Sequence, residues 1–269
     1  MENILCAKNL TFMYNEKLIL NDISFDVQKN SITAVLGSNN CGKTTLIKIL
    51  CGILLSNGEI YINDLLLESR NSKLLLLNIG VVLSDIDKQF LFGDVESELA
   101  FSLENLKYSR SNINEAIDMI SGLLGIGNII FSKTRKLTRY QKVLVLIGAS
   151  IIHNPRVLFL DDIFKGLTQE EVASLFDIFK TLVEKRDLSI IFTTSNVIDI
   201  LGADRVIVMN NGKILFDDVP ASILEHDNEL AKIGVNIPTM IDLSMKLKFY
   251  NLVDKVYLNT DEVVDKLWS

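Results

Sequence analysis

Hydrophobic and polar residues alternate along the first thirty positions of the chain. In segments 4–14 and 18–27 apolar side chains recur at every second residue over much of the length, and Ile23, Phe25 and Val27 share one face. A period of two is typical of antiparallel strands that bury one face and expose the other. We therefore predict an antiparallel β-subdomain at the start of the chain.

A different pattern begins at residue 31. Segment 31–37 is continuously apolar and rich in β-branched residues, and it leads through a glycine-containing loop into a stretch with helical spacing. Segments 156–162 and 188–196 are of the same type, and a helical stretch precedes each. Continuous apolar strands are typical of positions buried on both faces, and helices that alternate with them predict a parallel sheet with crossover connections.

Three further regions follow from periodicity and turn residues. Segment 205–218 is typical of a hairpin that turns at Asn211 and Gly212. Between residues 85 and 136 the pattern becomes helical and more polar, which predicts an inserted helical subdomain. Segment 237–247 predicts an amphipathic helix that starts with a proline.

Composition indicates which partners and which cellular location to expect for this chain. The chain has 34 acidic and 27 basic residues, a net charge of -7, and no long basic block, which argues against nucleic acid as its main partner. Its 3 cysteines form no Cys-x-x-Cys pair, and the first residues lack the features of a secretory leader, so we expect a reducing cytoplasmic location. The longest apolar stretches reach about half of a bilayer span. We expect a chain that does not cross a membrane but can dock against a protein that does.

The strongest chemical signal lies between the first buried strand and the helix after it. Segment 37–45 reads Gly-Ser-Asn-Asn-Cys-Gly-Lys-Thr-Thr and matches the pattern G-x-x-x-x-G-K-[ST]. The two glycines let backbone N–H groups face phosphate oxygens, the lysine can reach the β- and γ-phosphates, and the first threonine can ligate Mg²⁺. The candidate nucleotide-binding residues are Gly37, Ser38, Asn39, Asn40, Cys41, Gly42, Lys43, Thr44 and Thr45.

Cys41 allows two interpretations. A thiol beside Lys43 and a helix N-terminus is expected to have a lowered pKa, which would make it easy to alkylate. The alternative is that Cys41 is only a small side chain that fills space in the loop.

At this point the residues resemble the nucleotide-binding subunits of ABC transporters. Tyr14 stands where the family has an aromatic residue that stacks on adenine, and segment 157–162 stands in place of the second Walker motif. Segments 79–106 and 233–247 look like the ATPase subunits of energy-coupling-factor transporters, which import vitamins or transition-metal ions. The resemblance covers essentially the whole chain.

The resemblance implies a fold, a domain plan and a working arrangement. The fold would be an α/β P-loop NTPase (RecA-like) core with an antiparallel β-subdomain, an inserted helical subdomain at about 85–140, and a small C-terminal helical extension at 221–269 that follows a nucleotide-binding domain at 1–220. Two such subunits would sandwich two Mg-ATP molecules, and a polytopic membrane subunit would dock near the helical subdomain. The chain would then be a peripheral protein at the cytoplasmic face of the cell membrane.

Several catalytic positions depart from the family pattern. Asp161, the expected Mg²⁺ partner together with Thr44, is retained, but Asp162 replaces the catalytic glutamate. Ser84 replaces a glutamine and Ser195 replaces a histidine, both of which help to position the attacking water, and Thr168 replaces an aspartate. An acid that is one methylene too short can cost about 10²-fold in rate. We therefore expect this chain's phosphate site to bind Mg-ATP and to hydrolyse it slowly or not at all.

The signature motif that would face the partner's ATP is altered as well. Segment 137–141 reads Leu-Thr-Arg-Tyr-Gln where the family has Leu-Ser-Gly-Gly-Gln, so Thr138 and Gln141 are close matches, and Arg139 and Tyr140 replace both glycines. Arg139 could direct its guanidinium at the phosphate, or it could be an exposed arginine on a damaged loop.

The catalytic positions and the signature motif are both altered in this one chain. A homodimer would therefore have two poor sites. We therefore predict a heterodimer with a second ABC ATPase subunit that performs whatever hydrolysis occurs. The alternative is a regulatory, non-hydrolysing ATP-binding protein that takes no part in transport. A nucleic-acid-handling ABC protein is disfavoured by the acidic charge and the single cassette, and a P-loop kinase by the lack of an arginine-rich lid.

Overall fold

The computed structural model describes residues 2–68, 72–235, 237–250, 252–253, 257 and 260–268. Its strands are β1 (Asn3–Tyr14), β2 (Lys17–Gln28), β3 (Ile32–Leu36), β4 (Asn57–Ile62), β5 (Leu65–Leu66), β6 (Ile79–Val82), β7 (Val157–Asp161), β8 (Ser189–Thr194), β9 (Arg205–Asn210) and β10 (Lys213–Asp218). Its helices are α1 (Lys43–Leu50), α2 (Ser72–Asn78), α3 (Val95–Asn105), α4 (Arg110–Leu124), α5 (Arg139–Ile151), α6 (Gln169–Arg186), α7 (Pro220–Leu224), α8 (Asp227–Lys232), α9 (Thr239–Phe249) and α10 (Thr260–Trp268).

The predicted antiparallel sheet is confirmed. Within the described residues it has the strand order β2-β1-β4-β5, and β1 pairs with β2 through partners such as Ala7 and Phe25. Ile23, Phe25 and Val27 are all buried, as their alternation predicts. This sheet buries one face against the rest of the molecule and leaves the other face to solvent.

The second sheet is the parallel sheet that the sequence predicts. Its order is β10-β9-β3-β8-β7-β6 in the described part of the chain, and β9, β3, β8, β7 and β6 run parallel to one another. Every residue of β3, β7 and β8 is buried, because apolar layers cover both faces. The hairpin between β9 and β10 turns at Asn211 and Gly212, whose φ angles of 46° and 73° are those of a type I′ turn.

Two hydrophobic layers cover the faces of the parallel sheet, and alternate residues of each strand enter different layers. Phe159 of β7 packs with α1 and the antiparallel sheet, whereas Leu158 and Leu160 pack with the helices on the opposite face. In the second layer the ring of Phe192 lies 5.1 Å from that of Phe164 and 5.7 Å from that of Phe176, both measured between centroids. This packing fixes the carboxyl ends of the parallel strands, where the candidate site lies.

Helices occupy the region where the sequence predicts a helical insert. The Asp94 side chain accepts a hydrogen bond from the backbone N–H of Ser97 and begins α3, and α4 ends at Gly125 with a φ of 68°. A Cβ at Gly148 of α5 would lie 3.0 Å from side-chain atoms of Leu99 and Leu124, so α3, α4 and α5 pack closely at this point.

The C-terminal region is joined to the main core and also forms a small cluster of its own. Leu230 and Val235 are buried in the main core, and α9 follows Pro238, as the sequence predicts. Asn236, within the segment that resembles energy-coupling-factor ATPases, and parts of the predicted extension 221–269 lie outside the described residues. Within the ranges given above, no helix combines the length and the apolar character needed to span a bilayer.

Replacement of Phe192 tests the role of the aromatic layer that supports the site. We expect Phe192→Ala to lower the free energy of unfolding by about 3–5 kcal/mol, because it leaves a cavity in a fully buried layer. Urea denaturation of the folded variant gives the value. Phe131→Ala is the matched control, since Phe131 is 85% exposed. Equal losses for the two variants would contradict the packing described here.

Candidate functional site

The phosphate-loop motif connects the end of β3 to the start of α1 in a conformation that requires its two glycines. Gly42 precedes α1 with a φ of 113°, and a Cβ there would lie 2.9 Å from Cδ2 of Leu20. A Cβ at Gly37 would lie 2.5 Å from the carbonyl oxygen of Met209. The motif therefore has the curled backbone that its spacing predicts, with its N–H groups near the helix N-terminus.

Lys43 lies inside this loop. Its Nζ donates hydrogen bonds to the carbonyl oxygens of Gly37 at 2.7 Å and Ser38 at 2.9 Å, and the residue is only 8% exposed. Asn39 and Asn40 are exposed at the outer side of the loop. The ammonium group is thus fixed at the centre of a backbone arrangement suited to phosphate.

Asp161 ties the phosphate loop to the end of the parallel sheet. It is fully buried at the last position of β7, and its Oδ1 accepts hydrogen bonds from Oγ1 of Thr44 at 3.1 Å and Oγ1 of Thr193 at 2.7 Å. Its Oδ2 has no hydrogen-bond partner among the residues that the structure describes. A buried carboxylate oxygen with no partner, close to a threonine hydroxyl, is a donor set that fits a hard cation such as Mg²⁺.

Asp162 follows Asp161 in a left-handed conformation. Its φ is 50°, and its backbone N–H donates to Oγ1 of Thr193 at 2.9 Å. Burial raises the pKa of the Asp162 carboxyl, and the charge of Asp161 raises it further. The carboxylate is therefore a stronger proton acceptor than that of an ordinary aspartate.

The three positions at which the sequence analysis predicts replaced catalytic residues follow neighbouring strands. Ser84 comes after β6, Asp162 after β7 and Ser195 after β8, and these strands are adjacent in the sheet. A cavity of about 690 Å³ at this edge is lined by Asn39, Asp162 and Ser195 together with aromatic residues behind them. Ser84 is exposed and does not line this cavity.

Tyr14 lies at the tip of the hairpin formed by β1 and β2. It is 45% exposed, and its ring meets that of Phe12 edge-on at 4.7 Å between centroids. The hairpin is anchored on the phosphate loop, because Leu20 and the carbonyl of Ile19 pack against Gly42. The Tyr14 ring is therefore partly exposed at the end of a hairpin that contacts the phosphate loop.

The signature segment begins α5. The side chains of Thr138 and Gln141 form a reciprocal capping box in which each accepts a hydrogen bond from the other residue's backbone N–H. Tyr140 is half-buried against the main core, and burial raises the pKa of its hydroxyl. These contacts hold the start of α5 within its own chain.

Arg139 makes a contact within its own chain that the sequence did not indicate. It is half-buried, and its Nε donates a short hydrogen bond to the carbonyl oxygen of Lys165 in the loop after β7. Gly166 makes room for it, since a Cβ there would lie 3.2 Å from Cδ of Arg139. The Nε–H of the guanidinium is therefore held by a carbonyl of its own chain, and both sequence-based interpretations of Arg139 stay predictions.

The prediction of a lowered pKa at Cys41 is wrong. The residue is 4% exposed, and burial raises the pKa of its thiol although Lys43 acts in the opposite direction. Its Sγ lies 2.6 Å from where a Cβ of Gly37 would be. The alternative, that Cys41 fills space in the loop, agrees with these contacts.

Sequence reasoning missed two groups that organise the site. Thr193 bonds to the side chain of Asp161 and to the backbone of Asp162, and the backbone N–H of Gly212 donates to the carbonyl of Cys41 at 3.0 Å. The position of Thr193 at the carboxyl end of a buried strand was a usable signal. The contact of Gly212 joins residues that are far apart in the chain, and nothing local indicates it.

Comparison with protein families and curated proteins agrees with this geometry. The sequence profile of the ABC transporter family matches residues 20–165. The chain is 30% identical to the energy-coupling factor transporter ATP-binding protein EcfA1 of Ureaplasma parvum, over 97% of this chain and 89% of that protein. It is 29% identical to EcfA1 of Streptococcus agalactiae, over 100% of this chain and 98% of that protein.

Solved structures agree at the level of the fold. CbiO1 from Clostridium perfringens, part of the ABC transporter complex cbiONQ, superposes with a TM-score of 0.79 at 26% identity and covers 88% of this chain and 97% of its own. An ATP-binding cassette of an ABC transporter in its ADP conformation superposes with a TM-score of 0.75 at 21% identity, over 87% of this chain and 98% of its own. The resemblance to an α/β ABC ATPase fold is thereby confirmed.

Alkylation measures whether the Cys41 thiol is accessible. In the native protein we expect iodoacetamide to modify Cys41 at least about tenfold more slowly than a free cysteine at neutral pH, because the thiol is buried and its pKa is raised. Mass spectrometry of peptides gives the rate, and the protein unfolded in guanidinium chloride is the control. Modification of native Cys41 at the rate of a free cysteine would contradict the structure.

Proposed function

The chain belongs to the ABC transporter family, and on that basis we propose that it is the ATP-binding subunit of an importer of the energy-coupling-factor type. The observation that carries the proposal is the junction of Lys43, Thr44 and Asp161 at the end of the buried sheet, with one carboxylate oxygen left for a cation. The energy-coupling-factor names of the curated relatives, which match along nearly the whole chain, support the type of transporter.

Mg-ATP would bind at the phosphate loop. Backbone N–H groups of segment 37–45 and the Lys43 ammonium would hold the phosphates, and the Tyr14 ring would stack on the base. Thr44 and Asp161 would hold Mg²⁺, Asp161 through water. When bound, the cation would neutralise charge on the β- and γ-phosphates.

Hydrolysis at this site would be slow. Asp162 retains a carboxylate with a raised pKa, but its side chain is one methylene shorter than glutamate, and a misplacement of about 1 Å can cost about 10²-fold in rate. Ser195 and Ser84 offer hydroxyls where the family has longer polar side chains, so fewer groups can orient water or stabilise charge at the γ-phosphate. This chain would therefore bind Mg-ATP without hydrolysing it at an appreciable rate.

A second ATPase subunit would complete the sandwich. The altered signature makes a homodimer a poor arrangement, since Arg139 and Tyr140 both make intrachain contacts at the start of α5 and would have to leave them to approach the partner's phosphate. In a heterodimer whose partner has an intact signature, the ATP bound at this chain's phosphate loop would face a complete signature motif. We propose that heterodimer, with the partner performing most of the hydrolysis.

A membrane subunit would dock on the helical region at the cytoplasmic face of the membrane. Leu91, Phe92 and Phe101 expose apolar surface there, and the rings of Phe92 and Phe101 are 5.3 Å apart between centroids. The buried carboxylate of Glu98 fixes the loop, because its Oε2 accepts hydrogen bonds from the backbone N–H groups of Leu91 and Phe92 at 3.0 and 2.9 Å. An exposed apolar patch on a rigid loop suits an apolar segment of a protein partner.

The first test is direct binding of nucleotide. We expect the purified chain to bind a fluorescent ATP analogue with Mg²⁺, and Lys43→Ala to weaken this binding by about 10–100-fold, because it removes the charged donor in the loop. Lys48→Ala in the same helix is the matched control and should leave the dissociation constant unchanged. Equal binding by the wild type and Lys43→Ala would contradict the phosphate site.

The second test restores the missing catalytic groups. The test uses a complex with a second ATPase chain that retains the Leu-Ser-Gly-Gly-Gln signature but whose own phosphate-loop lysine is replaced, so that only this chain's site turns over. There we expect Asp162→Glu with Ser195→His to raise ATP turnover on the order of 10²-fold, since both groups again reach the attacking water. Asp162→Asn with Ser195→His is the control that lacks a proton acceptor. If Asp162→Glu with Ser195→His gave no gain in turnover, the result would contradict our explanation of slow hydrolysis and would favour the regulatory, non-hydrolysing alternative.

A further inference from the structure

A buried acid lies one turn beyond the end of β8. Asp199 belongs to the 3-10 helix Val197–Gly202 and is 4% exposed. Its Oδ2 accepts a hydrogen bond from Oγ1 of Thr194 at 2.5 Å, and its Oδ1 accepts one from Nδ2 of Asn196 at 3.3 Å. The two donors flank Ser195, so the carboxylate clamps both sides of the turn that carries it.

Thr194 connects the turn held by Asp199 to the phosphate loop. Its Oγ1 accepts a hydrogen bond from the backbone N–H of Asn196 at 3.0 Å, which leaves the hydroxyl proton for Asp199. Its carbonyl oxygen accepts a hydrogen bond from the backbone N–H of Gly37 at 3.2 Å. The side chain and the backbone of Thr194 thus connect Asp199 to the first glycine of the loop.

We propose that Asp199 is a positioning residue of the nucleotide site, which fixes the turn Thr194–Asn196 and, through the carbonyl of Thr194, the Gly37 end of the phosphate loop. The proposal rests on the proposed binding of Mg-ATP. Asp199 does not touch the nucleotide and acts only through the hydrogen bonds that it accepts. Loss of its carboxylate would leave the buried Thr194 hydroxyl without its acceptor and would release the exposed Asn196 side chain, so the turn would rearrange.

The carboxylate also brings charge to the edge of the site. Asp199 lines the cavity of about 690 Å³ that reaches Asp162, and the other charged groups facing this cavity are Lys165, Asp177 and Lys180. Burial raises the pKa of Asp199 to about 6; the hydrogen bond from Thr194 opposes the rise, and the charge of Asp162 adds to it. Above about pH 6 Asp199 is therefore a negative charge on the wall of the cavity that also includes Asn39 and Asp162, and below about pH 6 the charge is lost while one oxygen still accepts from Thr194.

Three variants separate positioning from charge. Asp199→Ala removes both the acceptor and the charge, Asp199→Asn keeps an acceptor for Thr194 but removes the charge, and Asp177→Ala is a matched control in the same cavity. At about pH 7.5 we expect Asp199→Ala to weaken binding of a fluorescent Mg-ATP analogue on the order of tenfold. Asp199→Asn should stay within about twofold of the wild type because its amide oxygen preserves the main contact, and Asp177→Ala should match the wild type.

The pH profile supplies a readout that a purely structural role would not change. As pH falls through about 6, Mg-ATP should bind the wild type more tightly, because protonation of Asp199 removes a charge that repels the phosphates. The nucleotide and Asp162 titrate as well, so the quantity of interest is the difference between the wild type and Asp199→Asn. We expect a step near pH 6 in that difference, and a constant difference would overturn the electrostatic part of the proposal.

Amide hydrogen exchange tests positioning without nucleotide. Exchange at Gly37 should be faster in Asp199→Ala than in the wild type and unchanged in Asp199→Asn, because only the first variant frees Thr194. If Asp199→Ala does not fold, Thr194→Val removes the connecting hydroxyl and should give the same acceleration. Unchanged exchange in a folded variant, or equal acceleration in Asp199→Ala and Asp199→Asn, would overturn the proposal. Absence of Mg-ATP binding by the wild type would instead contradict the proposed function and leave the exchange result to decide this inference.

Discussion

The structure around the site depends on one buried carboxylate. Asp161 ends a strand with no exposed residue, and an isolated charge in such a position would be expensive unless hydrogen bonds and a cation offset it. The hydroxyls of Thr44 and Thr193 supply hydrogen bonds from α1 and from β8. One side chain thereby fixes the relative positions of the phosphate loop and of two strand ends, and its second oxygen remains for a cation.

The same constraint supports the proposal that this chain binds nucleotide but hydrolyses it slowly. Lys43, Thr44 and Asp161 lie on buried elements whose packing depends on them, so a change at these positions costs stability as well as binding. Ser84 and Ser195 are exposed after the strands end, and their side chains can change with little effect on the core. Under the proposed function, the chain would retain the part of the site that its fold needs and would lack side chains that only the chemistry needs.

Much of the fold and part of the site could be predicted from sequence because the signals are local. The continuous apolar segments gave β3, β7 and β8, and the phosphate loop follows from the spacing of its own glycines. The raised pKa of Cys41 could not be predicted, because it depends on burial in the folded chain. The hydrogen bond of Arg139 could not be predicted either, because its acceptor, the carbonyl of Lys165, belongs to another part of the chain. The role of Asp199 depends likewise on contacts that only the folded chain brings together.

The hydrogen bond from Arg139 to the carbonyl of Lys165 also has a mechanical consequence. Arg139 is the first residue of α5 and Lys165 lies in the loop after β7, so their contact ties the start of that helix to the loop at the end of a core strand. Two glycines at positions 139 and 140 would offer no side chain for this contact, and the capping box of Thr138 and Gln141 would remain at the start of α5. A force applied to the start of α5 would therefore reach the loop after β7 through a side chain as well as through the backbone.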